Sequence, residues 1–295
     1  MRFSLIMATV GRTEEVKRFL EHLDRQTYRD FELIVVDQNP DDRLVPILDA
    51  YKNRFPILHL RSERGLSRAR NVGLRHISGD IVAFPDDDCW YPPDLLERVA
   101  RFFQDHTNIE GLTGCPVSEK GKPLFGCRTN ASGVFLNKFN VWTKGASIAI
   151  FLKASAIAEI GTFDETLGLG GSTPWESSEE ADYLIRALKK GLRIYHNPHL
   201  VIHHPEIIDC YDSKSVQRAL RCGLGMGRVW RKHEYPFLFV FYQWLRSAGG
   251  VIISLALGRV GKARYHLAAL RGKFLGWITK LEADSTFRSG RQRLK

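Results

Sequence analysis

Asp86, Asp87 and Asp88 stand in a row directly after the apolar run Ile81-Val82-Ala83-Phe84. A β-branched and aromatic run bounded by Gly79 and Pro85 predicts a buried strand, so three carboxylates leave its C-terminal end together. Adjacent negative charges repel one another, and a divalent cation would neutralise them, because carboxylate oxygens are ligands that Mg²⁺ and Mn²⁺ accept. The alternative is a solvated acidic turn ahead of a helix that starts at Pro92-Pro93-Asp94. Two further groups carry chemistry. Ser177 to Leu188 has the pattern of a serine-capped helix closed by Gly191, with Glu179, Glu180 and Asp182 in its first turn. Val201-Ile202-His203-His204-Pro205 predicts a strand ending in adjacent imidazoles, and since side chains alternate along a strand only one of the two faces a given site.

These groups need a scaffold, and the first half of the chain predicts one. Phe3 to Ala8 is a strand, and Val16, Phe19, Leu20 and Leu23 recur at helical spacing behind Thr13. Phe31 to Val36 is a second strand, a weaker helix follows around Leu44 to Tyr51, and Ile57 to Leu60 is a short third strand. Leu66, Ala69, Gly73 and Ile77 supply the next helical stripe before the strand that ends in aspartates. Such alternation predicts an α/β fold with a parallel sheet and crossover helices. In open sheets of that kind ligands bind beyond the carboxyl ends of the strands. Thr9 and Gly11 follow the first strand, Asp37-Gln38-Asn39 the second, and the aspartate triplet the fourth. Asp37 can accept hydrogen bonds from a base or ribose, or simply form a turn. No linking turn carries G-x-G-x-x-G or G-x-x-x-x-G-K-[ST], so neither a dinucleotide fold nor a P-loop is supported.

Composition allows a sizeable core: 295 residues, 44% hydrophobic and 26% charged. The opening Met1 to Met7 is too short and too soon followed by Glu14 and Glu15 for a signal peptide, and reads as the first strand. Five scattered cysteines without C-x-x-C spacing read as free thiols in a reducing cytosol. Charge divides the chain. Residues 1–210 carry a net charge of −3 and residues 211–295 a net of +13, which predicts a catalytic body and a basic segment that meets a polyanion. Pro236 to Leu257 is apolar but broken by Gln243, Arg246 and Gly249-Gly250, so a membrane span is not expected. The stretch from Arg259 to Ile278 mixes cations, aliphatics and aromatics as an interfacial helix does.

Taken in order, Ser4 to Thr9, Val35-Val36-Asp37, Gly65 to Gly73, the aspartate triplet, Gly161 to Glu165 and Glu179 to Asp182 resemble the family-two inverting glycosyltransferases of bacterial surface-polysaccharide type. The resemblance covers roughly residues 3–205, about two thirds of the chain. It implies a GT-A fold, a mostly parallel Rossmann-like sheet flanked by helices, with a C-terminal helical appendage. Residues 1–210 would form the nucleotide-sugar-binding and catalytic domain. It implies that Asp37 meets the nucleotide base, with Thr9 shaping the same pocket and Arg70 nearby. Asp86 or Asp87 would touch the ribose, and Asp88 would hold Mn²⁺ or Mg²⁺ against the diphosphate. His204 is the favoured imidazole partner of that metal, tilting the preference toward manganese. The catalytic base falls on Glu180, with Asp182 as the fallback; the family's glycine before the acidic pair is here Ser178, and its usual Glu-Asp is Glu179-Glu180. Leu167 to Trp175 looks like the family's glycine-rich loop, in which Trp175 could stack on an acceptor ring, as could Trp142 near the start of another predicted strand.

The implied donor is a UDP-, GDP- or dTDP-sugar and the acceptor a glycan or lipid-linked glycan, with the protein peripheral on the cytoplasmic face of the inner membrane and no nucleic-acid partner. A metal-dependent sugar nucleotidyltransferase is the first alternative, although Val10-Gly11-Arg12 is slight for a triphosphate loop. A non-catalytic polyanion- or membrane-binding protein is the second.

Overall fold

The computed structural model describes residues 1–129, 131–206 and 210–279. Residues 280–295, the end of the expected basic C-terminal region, lie outside the described residues. The chain divides into two compact units, Met1–Cys210 and Tyr211–Lys295.

The first unit is built on strands β1 (Phe3–Thr9), β2 (Phe31–Asp37), β3 (Ile57–Arg61), β4 (Ile81–Ala83), β5 (Gly111–Val117), β6 (Val134–Phe135), β7 (Ile150–Lys153) and β8 (Ile194–His203). They form a single sheet in the order β3-β2-β1-β4-β7-β5-β8-β6. β3, β2, β1 and β4 run parallel, and so do β5 and β8, while β7 is antiparallel to both β4 and β5. The helices are α1 (Glu14–Asp24), α2 (Val45–Asp49), α3 (Leu66–Leu74), α4 (Leu95–Asp105), α5 (Val141–Lys144), α6 (Ala154–Ile160) and α7 (Glu179–Lys189). The core forms where predicted: Phe3, Leu5 and Met7 of β1 and Phe31, Leu33 and Val35 of β2 pack with Val16, Phe19, Leu20 and Leu23 of α1. Burial of every residue of β4 on both faces matches a central parallel strand covered by helices.

Strand order places the site. β1 has β2 on one side and β4 on the other, so the chain reverses direction across the sheet at β1, and a crevice opens at the carboxyl ends of these strands. Thr9 pairs with Asp37 in register, and Ala8 bridges to Asp86.

Three sequence expectations change. Trp142 sits in the short helix α5, not near a strand, because Asn140 and Asn137 build a turn that starts a helix there. The helix of Leu66 ends at Leu74, short of Ile77. Cys115 on β5 and Cys127 form a disulfide with Cα atoms 5.8 Å apart, since the loop between them folds back through the Leu124 N–H to Pro116 carbonyl bond; Cys89, Cys210 and Cys222 keep their thiols. The scattered spacing of the cysteines therefore does not argue for a reducing compartment.

The second unit, within the described residues, is three helices: α8 (Ser213–Lys232), α9 (Phe237–Ala256) and α10 (Val260–Ile278). Asp212 caps α8 by accepting from the Ser215 N–H at 2.8 Å. Glycines let α8 and α10 meet backbone to backbone: a Cβ on Gly223 would lie 2.6 Å from the Ala269 carbonyl, and one on Gly276 2.2 Å from that of Leu224. Such glycines four residues apart on facing helices allow close packing. α9 is one uninterrupted helix, contrary to the expected break at Gly249-Gly250, because Gly250 serves packing: a Cβ there would meet the His266 ring at 2.8 Å. It is the one described helix long and apolar enough to cross a membrane.

Candidate active site

The three aspartates leave β4 into the crevice, where Asp86 meets one arginine and Asp87 and Asp88 share another. Asp86 pairs with Arg70 at 3.2 Å; Asp87 accepts from the Thr9 hydroxyl at 2.7 Å and from Arg12 Nη1 at 2.6 Å; Asp88 takes the same Arg12 nitrogen at 2.6 Å. Arginines thus supply the neutralising charge for which the sequence suggested a cation. Burial pushes the Asp86 carboxyl up, opposed by Arg70 and reinforced by Asp88, and it pushes Asp87 up to about 6 despite Arg12 and Thr9.

Arg70 is the hub. Its guanidinium is buried, 2% exposed, over the rings of Phe84 and Phe163, and it reaches Glu179 at 3.1 Å as well as Asp86. The resemblance implied a nucleotide contact; the structure commits this side chain to two carboxylates. It ties the end of β4 to the start of α7. A buried arginine held by two acids on separate elements fixes their spacing, and losing the arginine would leave the buried Glu179 without this cation.

α7 begins at Glu179, and its acids diverge. Glu179 is buried against Arg70, and Asp182 is fully buried, held by Arg186 Nε at 3.0 Å one turn later. Glu180 is half-buried, and desolvation together with the neighbouring Glu179 charge pushes its carboxyl well up. Of the two base candidates, Glu180 has access to solvent and Asp182 braces the helix. Ser178 occupies the N-cap position, as expected, but at φ 70°, and its side chain makes no capping bond; its hydroxyl meets that of Ser177 at 3.2 Å. A left-handed non-glycine residue stores strain of about 1 kcal/mol. Ser178→Gly is therefore expected to raise stability by about 0.5–1 kcal/mol in a denaturant melt; an unchanged or lowered midpoint would contradict the strain. The preceding loop has a local reason for its glycines: a Cβ on Gly168, at φ 99°, would lie 3.0 Å from the Ser67 hydroxyl and 3.4 Å from the Glu179 carboxylate. Its backbone approaches α3 and α7.

The two histidines separate as strand alternation requires. His203 stacks on Trp90, rings 5.6 Å apart at 8°, whereas His204 Nε2 lies 3.5 Å from Asp88 Oδ1. Phe125 packs edge-on to His204. No group of three metal-ligating side chains occurs among the described residues. A carboxylate and an imidazole this close still fit a cation that takes its other ligands from a diphosphate and water, as Mg²⁺-type sites with one or two protein ligands do.

At the far end of the crevice, Asp37 is fully buried and fully engaged. One oxygen accepts from the Asn39 N–H at 2.8 Å and from Asn39 Nδ2 at 2.7 Å; the other meets His59 Nε2 at 3.0 Å and Arg61 Nη1 at 2.9 Å. A carboxylate has about four acceptor sites, so a base could bond to Asp37 only if one partner yields. Asn39 also accepts from the Gly11 N–H at 2.6 Å, which joins this end to the loop bearing Arg12.

His59 and Arg61 escaped the sequence reading, and Arg12, Asn39 and Glu179 entered it only as members of strand-end loops and a helix start; the partners of all five become visible once the strand ends are side by side.

Comparison with known proteins agrees with this geometry. Residues 4–130 match the family model Glycosyl transferase family 2. An uncharacterized glycosyltransferase of Haemophilus influenzae is 29% identical over 198 residues, 63% of this chain and 62% of its own length, so the match spans less than two thirds of that relative. The glucosyl-dolichyl phosphate glucuronosyltransferase of Haloferax volcanii is 26% identical over 69% of each chain. Among solved structures, the mannosyltransferase PcManGT from Pyrobaculum calidifontis, in complex with GDP-Man and Mn²⁺, superposes with a TM-score of 0.64 at 15% identity, over 92% of this chain and 87% of its own. The family model lies on the very strands whose ends carry Thr9, Asp37 and Asp88, and the sheet has the GT-A arrangement: residues 4–130 carry the pattern of glycosyl transferase family 2, on a fold like that of its solved members.

Proposed function

We propose that this chain moves a sugar from a nucleotide-diphosphate sugar to an acceptor hydroxyl with inversion at the anomeric carbon, dependent on a divalent cation held by Asp88 and His204. The observation that carries this reading is the buried Arg70 bridge, which locks the strand-end acids of the donor side to the start of the helix bearing Glu180. Asp37, with Asn39, His59 and Arg61, shapes the nucleoside end; Thr9 orients Asp87; Asp86 and Asp87 line the ribose and phosphate path. When bound, the cation would offset the negative charge that grows on the leaving diphosphate.

Glu180 takes the acceptor's proton as its oxygen attacks the anomeric carbon; the bond from that carbon to the diphosphate breaks on the opposite face, and its electron pair leaves with the phosphate oxygen. Attack from one face with departure from the other inverts the centre. A carboxyl raised by burial and by Glu179 is a stronger base than an ordinary glutamate. The rate is therefore expected to rise with pH along a limb above the usual carboxylate range, as Glu180 loses its proton. GDP-Man and Mn²⁺ in the archaeal neighbour support a nucleotide-sugar donor and a divalent cation. In a panel of nucleotide sugars with Mn²⁺, one donor should raise Tm by several degrees at a hundredfold excess over its Kd. No shift with any of them would contradict the reading.

We further propose that the helical unit rests on an anionic membrane surface. α9 exposes Phe237, Leu238, Tyr242, Leu245, Ile252 and Ile253 on a helix whose buried stripe is only Val240, Ser247 and Ser254, in a segment of net charge +13. The dolichyl phosphate in the haloarchaeal relative's name supports a lipid-linked acceptor. The protein should float with vesicles containing anionic lipid and bind at least about tenfold less to neutral ones; equal partition, or none, would contradict this.

A further inference from the structure

We infer that Arg12 is a resident cation that competes with the divalent metal for the Asp87–Asp88 pair. The inference rests on the metal reading proposed above and adds a gate to it. A single guanidinium nitrogen, Nη1, stands 2.6 Å from Asp87 Oδ1 and 2.6 Å from Asp88 Oδ2. It bridges two carboxylates as a point charge would, in place of the two-pronged fork that arginine offers a single acid. Arg12 Nη1 holds Asp88 Oδ2 while His204 Nε2 faces Oδ1, so a divalent ion bonded to Oδ1 would share one carboxylate with a guanidinium, and repulsion between the two cations sets them in competition.

Arg12 can leave. Its side chain is 41% exposed, and it follows Gly11, which at φ 74° has nothing within 4 Å of a would-be Cβ. Arg70, by contrast, is buried and stays with Asp86 and Glu179. His204 keeps its place beside Asp88 through its own backbone bond to the Val117 carbonyl. Metal entry is therefore an exchange of one cation for another on Asp88. Free metal alone gains little from that exchange, and the wild-type site takes it up weakly.

The test is Mn²⁺ alone, titrated into the full chain and followed by the electron paramagnetic resonance signal of unbound Mn²⁺, without nucleotide. Arg12→Ala should bind Mn²⁺ at least about tenfold more tightly than wild type, because it removes the competitor and keeps both acids. Arg12→Lys, which keeps one cationic nitrogen, should stay within about threefold of wild type. Arg18→Ala is the control for charge at a distance, since Arg18 donates to the Asp88 backbone carbonyl at 3.3 Å and otherwise meets Glu119 and the Trp90 ring. An Arg12→Ala affinity that is unchanged or weaker overturns the inference, and so does an equal gain in Arg18→Ala. Asp88→Ala separates the two layers. If it binds Mn²⁺ as well as wild type does, the metal site itself is wrong; if it alone loses binding while Arg12→Ala gains nothing, only the competition fails.

Discussion

Asp88→Ala is expected to lower donor turnover by about a thousandfold, the scale on which removing stabilisation of a developing anion acts, while leaving the fold intact. Asp88 is the one aspartate of the triplet that faces both an imidazole and a half-exposed arginine. Its loss removes the carboxylate that would share the cation with His204, so the diphosphate leaves without electrostatic help. The fold should tolerate the change because the partner left behind, Arg12, is half-exposed and can turn to water. Release of nucleoside diphosphate from donor, with water as acceptor, measures the loss, and a thermal melt checks the fold. Undiminished turnover, in this variant or in excess chelator, would contradict the metal role.

Glu180→Gln should behave differently: donor affinity within about threefold of wild type, and transfer reduced by about 10² to 10⁴. The amide keeps the shape of the side chain but cannot take a proton. Asp182→Asn supplies the contrast. That carboxylate is fully buried and paired with Arg186, so its replacement should cost about 2–3 kcal/mol of stability and leave the chemistry near normal in the folded fraction. A rate parameter split, with kcat lost in Glu180→Gln and Tm lost in Asp182→Asn, distinguishes base from brace. Normal transfer by Glu180→Gln would remove it from the mechanism.

Much of this was legible in the residues alone, for physical reasons. β1, β2 and β4 announce themselves because strands buried on both faces must be continuous apolar runs, and α1 because its apolar face recurs at helical spacing. Strand ends then locate Thr9, Asp37 and the triplet without further information. Pairings across the crevice were not legible. Which acid Arg70 or Arg12 meets depends on strand order, and Arg70 reaches a glutamate 109 positions away. Local pattern misled where a tertiary contact overrode it. Gly249-Gly250 reads as a breaker but stays helical with Gly250 packed against His266, Ser178 reads as an ordinary cap but sits left-handed, and Cys115 and Cys127 are brought together by a returning loop.

On the proposed function, one crevice holds a nucleoside diphosphate at the Asp37 end and a divalent cation at the Asp88 end. Calorimetric titration of UDP, GDP and dTDP into the wild-type chain, first with Mn²⁺ and then in chelator, tests it most directly. One nucleotide should bind with Mn²⁺ present and lose at least about tenfold in affinity, about 1.4 kcal/mol, when the metal is removed. Equal affinity in chelator, or no binding by any of the three, would contradict the account.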